Sequence, residues 1–313
     1  MDISLIHKET GTYWNECAEW YEPGKAGEAK ATEYLRSGGN FLYKPEQEIL
    51  GDLRPWCKRA IHLQCSGGND ALSLLKQGAA KVVGVDISEP LLNVARRKTQ
   101  ALHAPASWYC CDILEIPDTL SEAADLVYMG KGALCWMMDI EAWAEVVARM
   151  LVPGGQLFIF EAHPLDWVWE TKAEGYVLDM QHGNYFSDQL KEGMFYRKSV
   201  AIPRSHQWTL SQIINSIIKV GLRIELLLMC NRQLRIIPSC HRPTHSPRDG
   251  FQLAHELSKR IELERLRSVA ERGTGVGVDF HQQAVGAGGY GGFAHRRYVF
   301  PVSAGMRWID DYR

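Results

Sequence analysis

The chain contains no run of about 18 consecutive apolar residues, so no segment reads as a membrane-crossing helix. Its first twenty residues lack the basic, apolar and small-residue segments of a secretory leader. There is no excess of positive charge: 35 lysines and arginines face 37 acids, for a formal charge of −2 at pH 7. That removes the compositional basis for a nucleic-acid or anionic-membrane partner. The eight cysteines (Cys17, Cys57, Cys65, Cys110, Cys111, Cys135, Cys230, Cys240) include no CxxC pair and no Cys/His group at zinc spacing. We therefore expect no metal site, and reduced thiols in a cytoplasmic protein. What remains is a globular chain of 313 residues, 46% apolar, enough for one large α/β domain or two ordinary ones.

Apolar runs bounded by turn residues alternate with amphipathic stretches, the pattern of a mostly parallel sheet. RAIHLQC (59–65) reads as a first strand, DALSLLKQG (70–78) as its helix, and KVVGVDIS (81–88) as a second strand. EPLLNVARRKTQAL (89–102) has an acid and a proline in its first turn and an apolar stripe behind them, which predicts a helix. Strands are expected at 106–116 and 124–130, a helix at 139–151 with Asp139 as N-cap, and a fifth strand after the PGG turn at 153–155. A further helix (209–222) and strand (223–230) complete the pattern.

In an open parallel sheet, ligands bind at the carboxyl ends of the strands. There the first strand gives way to Gln64, Cys65, Ser66, Gly67 and Gly68. Small residues let a ligand approach the backbone, and the next helix offers free N–H groups. Asp86 closes the second strand, where a carboxylate accepts hydrogen bonds from both hydroxyls of a ribose. Asp112 closes the third in CCDIL, placed either to meet an adenine edge or to cap a loop. The turn lacks GxGxxG, which puts a dinucleotide second to a nucleoside without phosphates.

Taken together, HLQCSGG, VVGVDIS, CCDIL, ADLVYMGKGALCW and LVPGGQLFIFEAHPL resemble the class I S-adenosylmethionine-dependent methyltransferases, in a branch with an HLQC-type turn. The resemblance implies a Rossmann-like, doubly wound sheet and S-adenosylmethionine as cofactor. It places the glycine turn on Gln64 to Gly68, the ribose acid on Asp86 with Ile87 beside it, the adenine side on Asp112 and Ile113, and the fourth-strand loop on Met129, Gly130 and Lys131. Arg36 is a candidate for the methionine carboxylate, the alternative being an exposed arginine at a helix end. This chain departs from the family at His62, Gln64 and Ser66, where an acid and two glycines are usual. A catalytically inactive binding or regulatory protein is thus the alternative to a methyltransferase acting on a small-molecule acceptor.

The acceptor side rests on aromatic and histidine residues. Residues 1–45 are expected as a helical flap carrying Tyr13 and Trp14, and 46–230 as the cofactor domain. Trp136 lies beyond the fourth strand. The insertion 165–208 carries Trp167, His206 and Trp208. His163, just past the fifth strand, reads either as a general base or as a pocket wall. Residues 1–230 hold 13 lysines and 9 arginines whereas 231–313 hold one lysine and 12 arginines, so 231–313 is set apart as an extension. Its composition fits a lineage-specific segment, a reading-frame artefact or a flexible RNA-contacting arm. Nothing in the pattern sets an oligomeric state.

Overall fold

The computed structural model describes residues 2–21, 24–172, 175–178, 185–192, 201–230 and 235–241. The elements in chain order are α1 (Ile3–Tyr21), α2 (Gly24–Arg36), α3 (Lys44–Leu50), β1 (Ala60–Leu63), α4 (Asn69–Gln77), β2 (Val82–Asp86), α5 (Glu89–Leu102), β3 (Ala106–Cys110), β4 (Ala124–Gly130), α6 (Ile140–Met150) and β5 (Leu151–Ala162). Two short antiparallel pairs come next, β6 (Trp169–Lys172) with β7 (Gly175–Leu178) and β8 (Lys191–Glu192) with β9 (Arg204–Ser205). Last come α7 (Leu210–Lys219), β10 (Arg223–Cys230) and β11 (Arg235–His241).

The helices form where local chemistry starts and stops them. Asp139 caps α6 by accepting from the N–H groups of Glu141 and Ala142, and a reciprocal Thr209–Gln212 box opens α7. Pro90 sits in the first turn of α5, where its missing N–H costs no hydrogen bond. Strands β1, β2 and β4 are covered on both faces, which accounts for their largely apolar sequences. Ile61, Leu63, Val83, Val85, Val127 and Met129 meet α6 and α7 through Trp143, Val147 and Ile217. On the other face Ala60, Val82, Leu126, Tyr128 and Phe158 meet α3 and α4 through Leu50, Ala71 and Leu74.

Among the described residues, seven strands form one sheet in the order β10-β11-β5-β4-β1-β2-β3. β1 to β5 run parallel, and β11 is antiparallel to both of its neighbours. The strand order reverses between β1 and β4, so a crevice opens at their carboxyl ends. The Rossmann-like architecture is as expected.

Two boundaries differ. β5 begins at Leu151, opposite Ala124, and resumes at Gln156 opposite Leu126; residues 152–155 loop out between, so the PGG turn lies within the strand. The cofactor domain does not end at 230, because β11 lies within the expected extension and fills the space between β5 and β10. Pro238 hides this strand in the sequence, since proline argues against an interior strand. Its pairing with β5 passes from Ile236 to Ser239 and skips the proline, which has no N–H to give. The described residues all fall within one compact unit, Met1–His245. Residues 242–313, the greater part of the expected extension, lie outside the described residues.

Candidate active site

The turn after β1 passes through left-handed backbone three times: Gln64 at φ 53°, Ser66 at φ 49° and Gly68 at φ 81°. Only Gly68 takes that conformation without strain; each of the other two costs about 1–2 kcal/mol. A Cβ on Gly68 would also stand 2.6 Å from the Trp108 ring of β3. Asp86 holds the turn from one side, its Oδ2 accepting from the Ser66 N–H at 2.7 Å and its Oδ1 from the Ser88 N–H at 2.9 Å. Burial pushes its carboxyl up to about 6, against the pull of those N–H groups. Lys98 holds the turn from behind, fully buried, donating to the Gly67 carbonyl at 3.1 Å and to Asn69 Oδ1 at 2.7 Å. Its place on the apolar face of α5, with Leu91 and Ala95, is the sequence signal that marks it. Trp108 carries no such signal.

The N-terminal helix α1 lies over the ends of β2 and β3. A Cβ on Gly11 would already stand 3.1 Å from Ile87. His7 Nδ1 bonds Asp112 Oδ2 at 2.6 Å, and its Nε2 accepts from the Met138 N–H at 3.1 Å. Asp112 Oδ1 takes the Leu114 N–H at 3.0 Å, so this acid both caps a turn and anchors the flap. His7 was not foreseen; its partners are 105 and 131 residues away. Tyr13 is fully buried, and Trp14 meets Trp136 edge-on with ring centroids 5.6 Å apart.

Beyond β4 the expected contacts are only partly met. The Ile113 and Met129 side chains belong to the sheet core, leaving no more than their backbone for a ligand. Lys131 is tied down: its Nζ lies 2.6 Å from Asp70 Oδ1, 2.9 Å from the Phe41 carbonyl and 3.6 Å from Glu46. Burial opposes its charge, but Asp70 and Glu46 outweigh that and hold its pKa above the usual lysine value. Glu46, fully buried and bonded by the Tyr128 hydroxyl, has its carboxyl raised by burial. His62 stands edge-on to Tyr128, and burial pushes its imidazole down to about 4. A group that sequence reasoning missed, Glu161 at the end of β5, gathers the N–H groups of Gly132 (2.7 Å), Ala133 (2.7 Å) and Leu134 (3.1 Å). Gly130 packs so closely on Phe160 that a Cβ would meet its carbonyl at 2.7 Å. Arg36 does not join the group. Its guanidinium pairs with Glu33 and reaches the Ala101 carbonyl at the far end of α5, at the opposite edge of the sheet.

On the acceptor side, His163 is buried and its Nδ1 accepts from the Leu165 N–H at 3.1 Å. That contact occupies one ring lone pair, so in the neutral ring the other nitrogen carries the proton. Burial also lowers its pKa. In this arrangement the other ring nitrogen of His163 is a hydrogen-bond donor. His206 stacks on Trp208 with centroids 3.8 Å apart, its backbone N–H bonded to the Cys135 carbonyl, while Trp208 Nε1 donates to the Met137 carbonyl. These contacts place both residues beside the loop leaving β4. The Trp167 side chain lies outside the described residues.

Among the described residues, buried polar atoms without a partner collect at this edge. Gln64 Oε1, Ser66 Oγ, Ser88 Oγ and, on the flap, Thr10 Oγ1 surround the ends of β1 and β2; His206 Nδ1 and Gln207 Oε1 lie on the acceptor side. Buried polar groups are normally paired. The group at β1 and β2 therefore fits a ligand rich in hydroxyl and amino groups, with Asp86 as its acidic anchor.

Residues 60–155 match the family model of the methyltransferase domain. The chain is 30% identical over 128 residues to the demethylmenaquinone methyltransferase of Thermus thermophilus, covering 36% of this chain and 56% of that one. It is 29% identical over 154 residues to the ubiquinone biosynthesis O-methyltransferase of Coxiella burnetii, covering 49% and 61%. The chain thus spans less than two thirds of the length of either relative. Among solved structures, an S-adenosylmethionine-dependent methyltransferase from Mesorhizobium loti matches with a TM-score of 0.52 at 21% identity, over 63% of this chain and 96% of that one. At that identity the likeness speaks for the fold.

Proposed function

We propose that this chain carries a class I S-adenosylmethionine-dependent methyltransferase domain, the family model of the methyltransferase domain matching residues 60–155, and that the protein methylates a small aromatic acceptor. The observation that carries the reading is the set of unpartnered polar atoms around Asp86 at the switch point of the sheet. Aromatic side chains at the same edge, Trp14, Trp136 and the His206–Trp208 stack, support a planar acceptor. So do the relatives, whose names refer to menaquinone and ubiquinone. Among the described residues no helix is long and apolar enough to cross a membrane.

When bound, S-adenosylmethionine supplies a methyl group on a sulfonium, and the carbon–sulfur bond breaks as the bond to the acceptor forms. The protein's part is alignment and, for a hydroxyl acceptor, removal of a proton. Asp86 accepts from the ribose hydroxyls. The flap, with Tyr13 and Trp14 against Trp136, keeps water out. His163 donates to the acceptor and orients it. His206 takes the proton: its Nδ1 is unpartnered, and burial lowers its pKa so that its lone pair is available at neutral pH.

Calorimetry with S-adenosylmethionine, followed by S-adenosylhomocysteine release with a hydroquinone or catechol as probe acceptor, tests the proposal. Saturable binding and turnover are expected. A folded protein that binds S-adenosylmethionine without turnover on any phenolic probe would favour the inactive binding protein; one that instead binds NAD would overturn the reading altogether.

A further inference from the structure

Lys131 stands where the chain leaves β4, in left-handed backbone at φ 65°. Glycine takes that conformation without strain, so the backbone gives no reason for a side chain there. The contacts of the side chain do. Its ammonium donates to Asp70 Oδ1 in the first turn of α4 at 2.6 Å and to the Phe41 carbonyl at 2.9 Å. The Glu46 carboxylate of α3 stands 3.6 Å away and the Tyr43 ring centroid 4.5 Å away. With the side chain only 10% exposed, little of that charge is left for a ligand. We infer that Lys131 is a positioning residue: its charge fixes the direction in which the chain leaves β4, and through that loop it places the aromatic wall on the acceptor side. The inference rests on the proposed acceptor site and adds to it a residue that touches no ligand.

The loop after β4 supplies the link. Glu161 gathers the N–H groups of Gly132, Ala133 and Leu134 and so fixes the start of the loop to β5. Lys131 fixes it to α3, α4 and the segment before α3, on the other side of β4. The next four residues make the contacts with the wall and the flap. The Cys135 carbonyl accepts from the His206 N–H at 2.8 Å, and the Trp136 ring meets Trp14. The Met137 carbonyl accepts from Trp208 Nε1 at 2.8 Å, and the Met138 N–H donates to His7 Nε2 at 3.1 Å. A loop takes its direction from the dihedrals of its first residues, so a rotation at residue 131 moves all four contacts together. The buried ammonium opposes that rotation, because turning it away would leave Asp70 and Glu46 without their cation.

The experiment compares Lys131→Gly, Lys131→Arg and Asp70→Asn with wild type, first without ligand. Near-ultraviolet circular dichroism reports how tightly tryptophan rings such as Trp14, Trp136 and Trp208 are packed, and the far-ultraviolet spectrum reports the helices and the sheet. Lys131→Gly relieves the backbone and removes the charge; it should keep the far-ultraviolet spectrum and lose most of the near-ultraviolet tryptophan signal. Lys131→Arg, which keeps the charge, should recover most of it. Asp70→Asn loosens the same tie from α4 while Lys131 keeps Glu46 and the Phe41 carbonyl, so it should lose part of the signal even if the glycine variant folds poorly. In turnover with catechol as probe acceptor, Lys131→Gly should lower kcat/KM for the catechol by about 100-fold, as a misplacement of about 1 Å does. Its affinity for S-adenosylmethionine by calorimetry should stay within about threefold of wild type. A wild-type near-ultraviolet spectrum in both Lys131→Gly and Asp70→Asn would overturn the inference. So would a loss of S-adenosylmethionine affinity as large as the loss of kcat/KM, which would make Lys131 a cofactor contact. Should the wild-type protein bind no S-adenosylmethionine, the proposed function falls, and the near-ultraviolet comparison still decides the role of Lys131.

Discussion

Asp86 at the end of β2 and Glu161 at the end of β5 stand on the two halves of the same sheet edge, each facing backbone N–H groups. Asp86 bridges two segments, taking the N–H groups of Ser66 and Ser88 on separate oxygens with the Ile87 N–H also favouring its charge. Glu161 receives three from one short loop and is committed to building it. The difference arises in the segments that the strands lead into. After β2 a helix begins, and the carboxylate shares its N–H groups with the glycine turn. After β4 the chain passes through left-handed Lys131 and Gly132, and only a charged acceptor on the neighbouring strand satisfies the amides that this exposes. Among the described residues, the β1–β3 half leaves polar side-chain atoms unpartnered at the crevice, whereas the acid of the β4–β5 half is spent on the shape of its own loop.

The strongest way to break the comparison is to remove what holds the second half. Truncation after Cys230 deletes β11 from between β5 and β10, and we expect an insoluble or molten product. Truncation after His245 keeps every described strand and should leave cofactor affinity close to that of the full chain. Next in size, Glu161→Ala leaves three backbone N–H groups without their acceptor and should cost about 3–5 kcal/mol, read as a lower denaturation midpoint. Asp86→Ala should instead show its effect in affinity, a loss of about 1–3 kcal/mol or roughly 5- to 150-fold for S-adenosylmethionine by calorimetry. Equal effects of the two variants on stability and affinity would erase the distinction between the halves.

The smallest effect is one of pH. The Asp86 carboxyl is raised by burial from 3.8 to about 6. With its pKa above the unfolded value, its contribution to stability is complete below about 3.8 and is lost as pH rises through 6. Ligand-free wild type should therefore lose ground to Asp86→Asn between pH 4 and 6 in denaturant titrations. Affinity runs the other way: below pH 6 the carboxylate takes up a proton, and S-adenosylmethionine binding should weaken. A flat affinity from pH 7 to 5 would detach Asp86 from the ribose.

Much of the fold and the site is legible in the sequence, and the exceptions share a cause. The bounds of α5 are read correctly because Pro90, an acid and the apolar stripe all act within the helix itself. β11 is missed because its proline speaks against a strand, while the register that excuses the proline depends on β5. Ile113 and Met129 sit next to crevice residues in sequence but turn into the core; for Met129 the reason is that alternate side chains of a strand face opposite ways. Arg36 lies on the expected helix and at the wrong end of the sheet.

By itself, the sequence determined the alternation of strands and helices, the place of the turn and the acid beyond it, because hydrophobic period, caps and turn residues act over a few positions. Only the tertiary structure decided that His7 meets Asp112, that Lys98 and Asp86 grip one turn from two sides, that Glu161 is committed to a loop, and that the His163 lone pair is already taken. Each of those depends on which groups come within hydrogen-bond reach once distant segments pack, and on how burial strengthens a bond that water would otherwise contest.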